Sequence, residues 1–157
     1  MTHCVSVQAS QDEKLELTSD AKVALGNVFV NALQAKDFDG LERLFSAEVR
    51  FRAMVPSGER VGKTAGEAAG WLRRWFGDKE MLQVLQSASM PMADRLYLNY
   101  RLRLYTAKEG WQVIEQHAYC VVESGRMADM WLVCSGFRPD PESRRYPLAA
   151  LSNHSRA

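Results

Sequence analysis

No stretch of this chain is apolar for the ~20 consecutive residues that a membrane-crossing helix needs, so no such helix is expected. Charge of one sign is also missing. Lys and Arg number 20 against 19 Asp and Glu, a formal net charge of +1. A field that weak recruits neither nucleic acid nor an anionic membrane surface. Cysteine is scarce: Cys4, Cys120 and Cys134 are odd in number and lack Cys-x-x-Cys spacing, which argues against a disulfide framework. No grouping of His, Cys and Asp has ligand spacing, and neither metal nor cofactor is expected. Met1-Thr2-His3-Cys4 lacks the basic and apolar regions of a secretory signal, so a reduced, cytoplasmic protein is the expectation. The stretch Gly58-Glu59-Arg60-Val61-Gly62-Lys63 falls short of phosphate-loop spacing. Tyr97, Arg101, Arg103 and Tyr105 interleave bases with aromatics along one strand. Without a nucleic-acid motif, that row reads as a solvated or dimer-contacting face.

What is present is an ordinary globular composition, 46% hydrophobic and 25% charged over 157 residues, enough for one domain with a real core. Residues 1–16 read as a flexible leader, 17–137 as the domain and 138–157 as an extended tail. Punctuation in the first half is helical. Thr18 or Ser19 can cap a helix whose stripe is Leu25, Val28, Phe29, Ala32 and Leu33. Asp39 can cap a short second helix carrying Leu41, Leu44 and Phe45. Val49, Phe51 and Ala53 alternate with Arg50 and Arg52 as a short strand. Thr64 with Glu67 forms a capping box before Ala68, Trp71, Leu72, Trp75 and Phe76. Met81 to Met90 is a further strand candidate.

The second half is strands. Leu96, Leu98, Tyr100, Leu102 and Leu104 hold one parity of a long run, and polar residues hold the other, the mark of a half-buried strand. Ser124-Gly125 reads as a two-residue hairpin turn between a run from Trp111 and a final strand ending near Phe137. Counting back from Glu123 opposite Arg126 puts Glu115 opposite Cys134, His117 opposite Leu132, and Tyr119 opposite Met130. That register turns Glu115, His117 and Tyr119 inward with Met130 and Leu132. Ile114, Ala118, Trp131, Val133 and Phe137 then share the outer face, more apolar than a solvated sheet needs, and predict a homodimer.

Helices first and strands last predict an α+β fold with helices packed on one face of an antiparallel sheet. The stretch from Ala32 to Phe51, ALQAKDFDGLERLFSAEVRF, resembles the helix–helix–strand opening of the nuclear transport factor 2-like superfamily, which includes SnoaL-like proteins. The helix within residues 62–76 and the hairpin at Val121–Arg126 are similar to later parts of that pattern. The resemblance implies a cone-shaped, curved antiparallel sheet wrapped on three N-terminal helices, with a mostly apolar pocket between sheet and helices. It also implies homodimers, and activities ranging from ketosteroid isomerase, polyketide cyclase, scytalone dehydratase and epoxide hydrolase to plain binding. Carried over to this sequence, the isomerase base falls on Ala53, the oxyanion-stabilising Tyr on Phe29 and the protonated acid on His117. Loss of the first two groups argues against steroid-type isomerisation.

Two functions follow. One is a cofactor-free isomerase, cyclase or dehydratase acting on a small hydrophobic, oxygenated molecule, with His117 as general acid/base, Glu115 as its orienter and Tyr119 as a donor. Its cavity would be lined by Phe29, Phe51, Ala53, Trp71 and Leu98, and by Tyr100, Leu102, Met130, Leu132 and Cys134. The other is a non-catalytic module that binds a ligand or a protein partner. On that reading His117 and Tyr119 are core residues bonded to backbone, and Glu115 lies at a solvated mouth.

Overall fold

The computed structural model describes residues 17–143; the leader, Cys4 and residues 144–157 lie outside the described residues. Three helices come early: α1 (Ser19–Gln34), α2 (Phe38–Leu44) and α3 (Ala65–Phe76). Each starts on a side-chain cap. Thr18 Oγ1 accepts from the Ala21 N–H at 3.2 Å. At α2 the cap is Asp37, accepting from the Gly40 N–H at 2.9 Å, and Asp39 lies in the first turn instead. Both carboxylates suit a helix start, but only the residue that is still non-helical can turn its side chain onto the free N–H groups. Thr64 caps α3 at 3.1 Å. Glu67 reaches back to the Lys63 N–H at 2.6 Å, one residue before the usual partner of a capping box.

The strands are β1 (Phe45–Val55), β2 (Gly58–Gly62), β3 (Met81–Met92), β4 (Arg95–Thr106), β5 (Gly110–Glu123), β6 (Arg126–Cys134) and a short β7 (Arg138–Pro139). Their order is β2-β1-β6-β5-β4-β3, with β7 on β5. Neighbours run antiparallel except β1 and β6, which are parallel, giving a curved, unclosed mixed sheet. Strand β3 runs through Pro91 to Met92 and pairs only with β4. A proline is tolerated there because an edge strand has one side without ladder bonds.

One face of the sheet holds the core. Phe29, Leu33, Leu41, Phe45, Phe51, Ala53, Leu72 and Phe76 interlock with Leu96, Leu98, Tyr100, Leu102, Leu104, Met130 and Leu132, all buried. Aromatic rings run through this interior edge to face, Phe29 on Phe45 at 6.3 Å and Phe45 on Phe51 at 6.2 Å. Fully burying each such side chain stabilises by roughly 1.5–3 kcal/mol, which fixes where the helices sit.

The β5–β6 hairpin departs from the expected register. Its turn is as read: Ser124 and Gly125 both have positive φ, 50° and 75°, and Glu123 faces Arg126. Val122 faces Met127, but Val121 faces Asp129, so Ala128 is an extra, bulged residue. Beyond it His117 faces Val133, and Ala118 faces Leu132. The bulge inverts the faces of β5 while leaving Met130 and Leu132 inward. Ile114, Gln116, Ala118 and Cys120 are buried, and Glu115, His117 and Tyr119 lie on the outer face. Energetics explain the choice. The unbulged register would bury a carboxylate and an imidazole, costing several kcal/mol, and would expose Ile114, worth roughly 2 kcal/mol buried.

The tail begins as structure. Strand β7 returns to β5 (Gln112 with Pro139, Val113 with Arg138), and buries Asp140 against Arg103 at 2.6 Å. Arg103 belongs to the outward parity of β4, yet this returning segment covers it.

Candidate functional site

An open cavity of about 550 Å³ lies where the end of β1, helix α3, strand β5 and the β6–β7 connection meet. Val55, Pro56, Trp75, Ile114 and Phe137 give it apolar walls; Cys134, Ser135 and Arg138 supply its polar points. Gly136 makes the rim possible. Its φ is +76°, and a Cβ there would stand 2.7 Å from Pro56 Cγ across the opening. Only glycine serves at such a position. Behind the rim, Phe76 meets Phe137 edge to face at 6.2 Å, and the Lys79 ammonium lies 4.5 Å from the Phe137 ring centroid.

Of the ten residues expected to line a cavity, Cys134 alone borders this one. Phe29, Phe51, Ala53, Leu98, Tyr100, Leu102, Met130 and Leu132 are at most 2% exposed and fill the interior among themselves. Trp71 packs beside Trp75 and donates its indole N–H to the Val61 carbonyl at 3.0 Å. Large buried side chains therefore occupy the space that was expected to be hollow, and the open cavity lies beside Trp75, Ile114 and Phe137 instead. Trp75 and Ile114 border the cavity as well; from sequence, Trp75 falls on the apolar stripe of α3, and Ile114 on the outer, dimer-contacting face. Their signal was a second tryptophan one turn from Trp71 and an isoleucine on the parity of β5 that carries no charged side chain.

The three expected acid/base residues stay together, but outside. Nε2 of His117 is 2.8 Å from Glu115 Oε1, and Nδ1 is 2.6 Å from the Tyr97 hydroxyl. An ionised carboxylate can only accept, so Nε2 donates to Glu115; in the neutral ring Nδ1 then accepts from Tyr97. Asn99 Nδ2 donates to Tyr97 at 3.1 Å, and Arg101 stands 3.8 Å from Glu115. Tyr119 stacks on Tyr97 with ring centroids 5.2 Å apart. The His117 and Glu115 side chains are 41% and 45% exposed. This is a polar row on the convex surface, separated from the cavity by the thickness of the sheet. The carry-over of the isomerase acid to His117 is corrected with it: the inward neighbour is Gln116.

Gln116 is fully buried. Its Oε1 accepts from the Tyr100 hydroxyl at 2.5 Å. Burial pushes the Tyr100 phenol up, with Cys134 and Cys120 adding to the rise, and pushes the Cys120 thiol up to about 12. Cys120 and Cys134 share the inner face, and both are free thiols. Among the described residues no group of three or more His, Cys, Asp or Glu side chains is placed to hold a metal ion, and no helix is long and apolar enough to cross a membrane.

Neither a family model nor a curated protein matches this sequence. Solved structures do match. A nuclear transport factor 2-like protein from Burkholderia xenovorans aligns with TM-score 0.59 at 9% identity, over 75% of this chain and 92% of the other. The chain has the nuclear transport factor 2-like fold. An LEH-like epoxide hydrolase from M. tuberculosis shares the nuclear transport factor 2-like architecture with TM-score 0.57 at 15% identity, over 74% of this chain and 84% of that one. A putative polyketide cyclase from Xanthomonas campestris gives 0.58 at 16%, over 73% and 90%. At such identities the nuclear transport factor 2-like likeness is one of fold.

Proposed function

We propose that this SnoaL-like domain binds a small, mainly apolar, oxygen-bearing molecule in the cavity beside Trp75, Ile114 and Phe137. The cavity itself carries the reading: about 550 Å³ of open, mostly apolar space falls in the range of small-molecule sites. Neighbours named as an epoxide hydrolase and a polyketide cyclase support use of the fold for such molecules. Binding is favoured over proton transfer, because only Cys134 and Arg138 among the surrounding residues can ionise. His117, proposed from sequence as the acid/base, faces away from the cavity, so any chemistry of His117, Glu115 and Tyr119 acts at the outer surface. A cytoplasmic setting suits the free thiols of Cys120 and Cys134. Titration of the labelled protein with fluorene, a neutral aromatic hydrocarbon, tests the site. NMR shifts should concentrate on Val55, Ile114 and Phe137 and vanish in Ile114→Trp, which fills the space; shifts scattered over the outer face would reject the cavity.

A second surface supports the binding-module alternative. Two cross-strand rows cover the outer face: Arg52, Trp131, Tyr119, Tyr97 and Met90, then Met54, Val133, His117 and Asn99. Met54, Tyr119, Trp131, Val133 and Met90 are each about half exposed or more. Ion pairs flank the band, Arg50–Asp129 on one side and Arg101–Glu115 on the other. A patch carrying both signs around an apolar centre is self-complementary, and we propose it as a homodimer interface. Ile114 and Ala118, expected in that interface, are buried in the core instead. Phe137 borders the cavity, so of the expected set Trp131 and Val133 are retained.

A further inference from the structure

Gln116 carries an unsatisfied group. Its Nε2 has no hydrogen-bond partner and no solvent contact, whereas buried amides are ordinarily paired. Exchanging the amide ends does not rescue it. The Tyr100 phenol must donate, and Gln116 Oε1 is the acceptor it reaches; with the amide reversed, both the phenol hydrogen and Oε1 would be orphaned. The orientation with a free N–H is therefore the better satisfied one. The amide lies one step behind the cavity wall. Ile114, two residues away on the same face of β5, borders the cavity, and so does Cys134, directly across the ladder from Gln116.

We propose that the Tyr100–Gln116 pair is the polar anchor of the cavity, and that its free amide N–H selects a neutral ligand presenting an acceptor oxygen, such as a ketone. The inference rests on the cavity reading above and adds the ligand's chemical class. The carbonyl enters between Ile114 and Cys134, whose side chains shift rotamer to admit it, while the rest of the molecule stays against Trp75 and Phe137. A carboxylate is disfavoured at the amide, because Tyr100, Gln116, Ile114 and Cys134 carry no cation to offset a buried charge, and the cation that borders the cavity, Arg138, is exposed. Tyr100 acts as a positioning residue: by donating to Oε1 it fixes which end of the amide meets the ligand.

A matched pair of probes, 9-fluorenone and fluorene, separates the anchor from the cavity, since they differ in one carbonyl. The full chain is expected to bind fluorenone about tenfold more tightly, the increment of one buried hydrogen bond. The Gln116 side-chain amide resonance should move downfield with fluorenone alone. In Gln116→Leu the two probes should bind equally, at the affinity fluorene has for the unmodified protein. If that variant does not fold, Tyr100→Phe/Gln116→Leu replaces it, because it leaves neither partner unpaired. Equal binding of both probes to the unmodified protein would overturn the anchor and leave the cavity standing. Failure of both probes to bind would overturn the anchor and the cavity together.

Discussion

Single buried groups set the pH behaviour of this fold. The Cys120 thiol is pushed from an ordinary value of 9.0 up to about 12 by burial, and the Tyr100 phenol rises for the same reason. Between the ordinary and the folded value, the unfolded chain gives up its proton and the folded chain keeps it. Stability is then fully present below about pH 9 and declines as pH climbs toward 12, by at most about 1.4 kcal/mol per pH unit for each group. Urea unfolding from pH 8 to 11 should show that decline, and Cys120→Ala should make it shallower. An unchanged slope would mean that the thiol meets water. The same residue should resist alkylation at neutral pH until the protein unfolds, whereas half-buried Cys134 reacts first. The buried amide of Gln116 belongs at this scale too. An unpaired buried donor costs roughly 1–3 kcal/mol, a penalty that a cavity ligand offering an acceptor would remove.

Within the elements, the β5–β6 hairpin decides which residues face which environment. Ser124 and Gly125, both at positive φ, form the type of two-residue turn that matches strand twist. Asn tolerates that conformation better than Ser, so Ser124→Asn should stabilise by a few tenths of a kcal/mol, and Gly125→Val should cost about 1–2 kcal/mol. Shifts in the urea midpoint at constant slope would show it; no loss in Gly125→Val would mean that the turn is not formed. This turn was legible in the sequence, and so were α1, α3, the β4 alternation and the cone they build, because each has a local signature. The bulge at Ala128 was not. Nothing in Arg126-Met127-Ala128-Asp129 marks an extra residue, and one inserted position is enough to exchange the faces of a strand. A clue lay in β5 itself. Its even positions carry Ile114, Ala118, Cys120 and Val122 with the uncharged Gln112 and Gln116, whereas Glu115, His117 and Glu123 all fall on its odd ones, and β4 demanded an apolar neighbour across its inner face. The candidate site moved with the faces: His117 and Glu115 were found together, as expected, but beneath open solvent. The depth of the hollow was illegible for another reason. Whether Phe29, Phe51 and Tyr100 line a space or fill it depends on how their rings pack, which spacing does not encode.

For the whole molecule the question is what covers the outer sheet. Trp131 at 58% and Val133 at 61% exposure stand side by side with Tyr119 and Met54, and Arg52 sits 5.3 Å from the Trp131 ring centroid. Apolar patches of that make-up are uncommon on a monomer's surface. A two-fold axis through the band would bring Trp131 of one copy near the same row of the other and leave Arg101 and Glu115 able to exchange partners across the rim. The unmodified protein should therefore sediment as a dimer at micromolar concentration. Central tryptophans of interfaces commonly contribute 2 kcal/mol or more, about thirtyfold in affinity. Trp131→Glu/Val133→Glu adds like-charge repulsion across the axis, so dissociation should be far beyond that factor, with circular dichroism unchanged because neither side chain is in the core. A monomer before mutation would show that the band serves another purpose. A dimer that survives the double substitution would place the interface elsewhere. Because the cavity opens between β1, α3 and the β6–β7 connection while the band faces the other way, the substitution should leave fluorene binding intact, so assembly and ligand binding can be read separately.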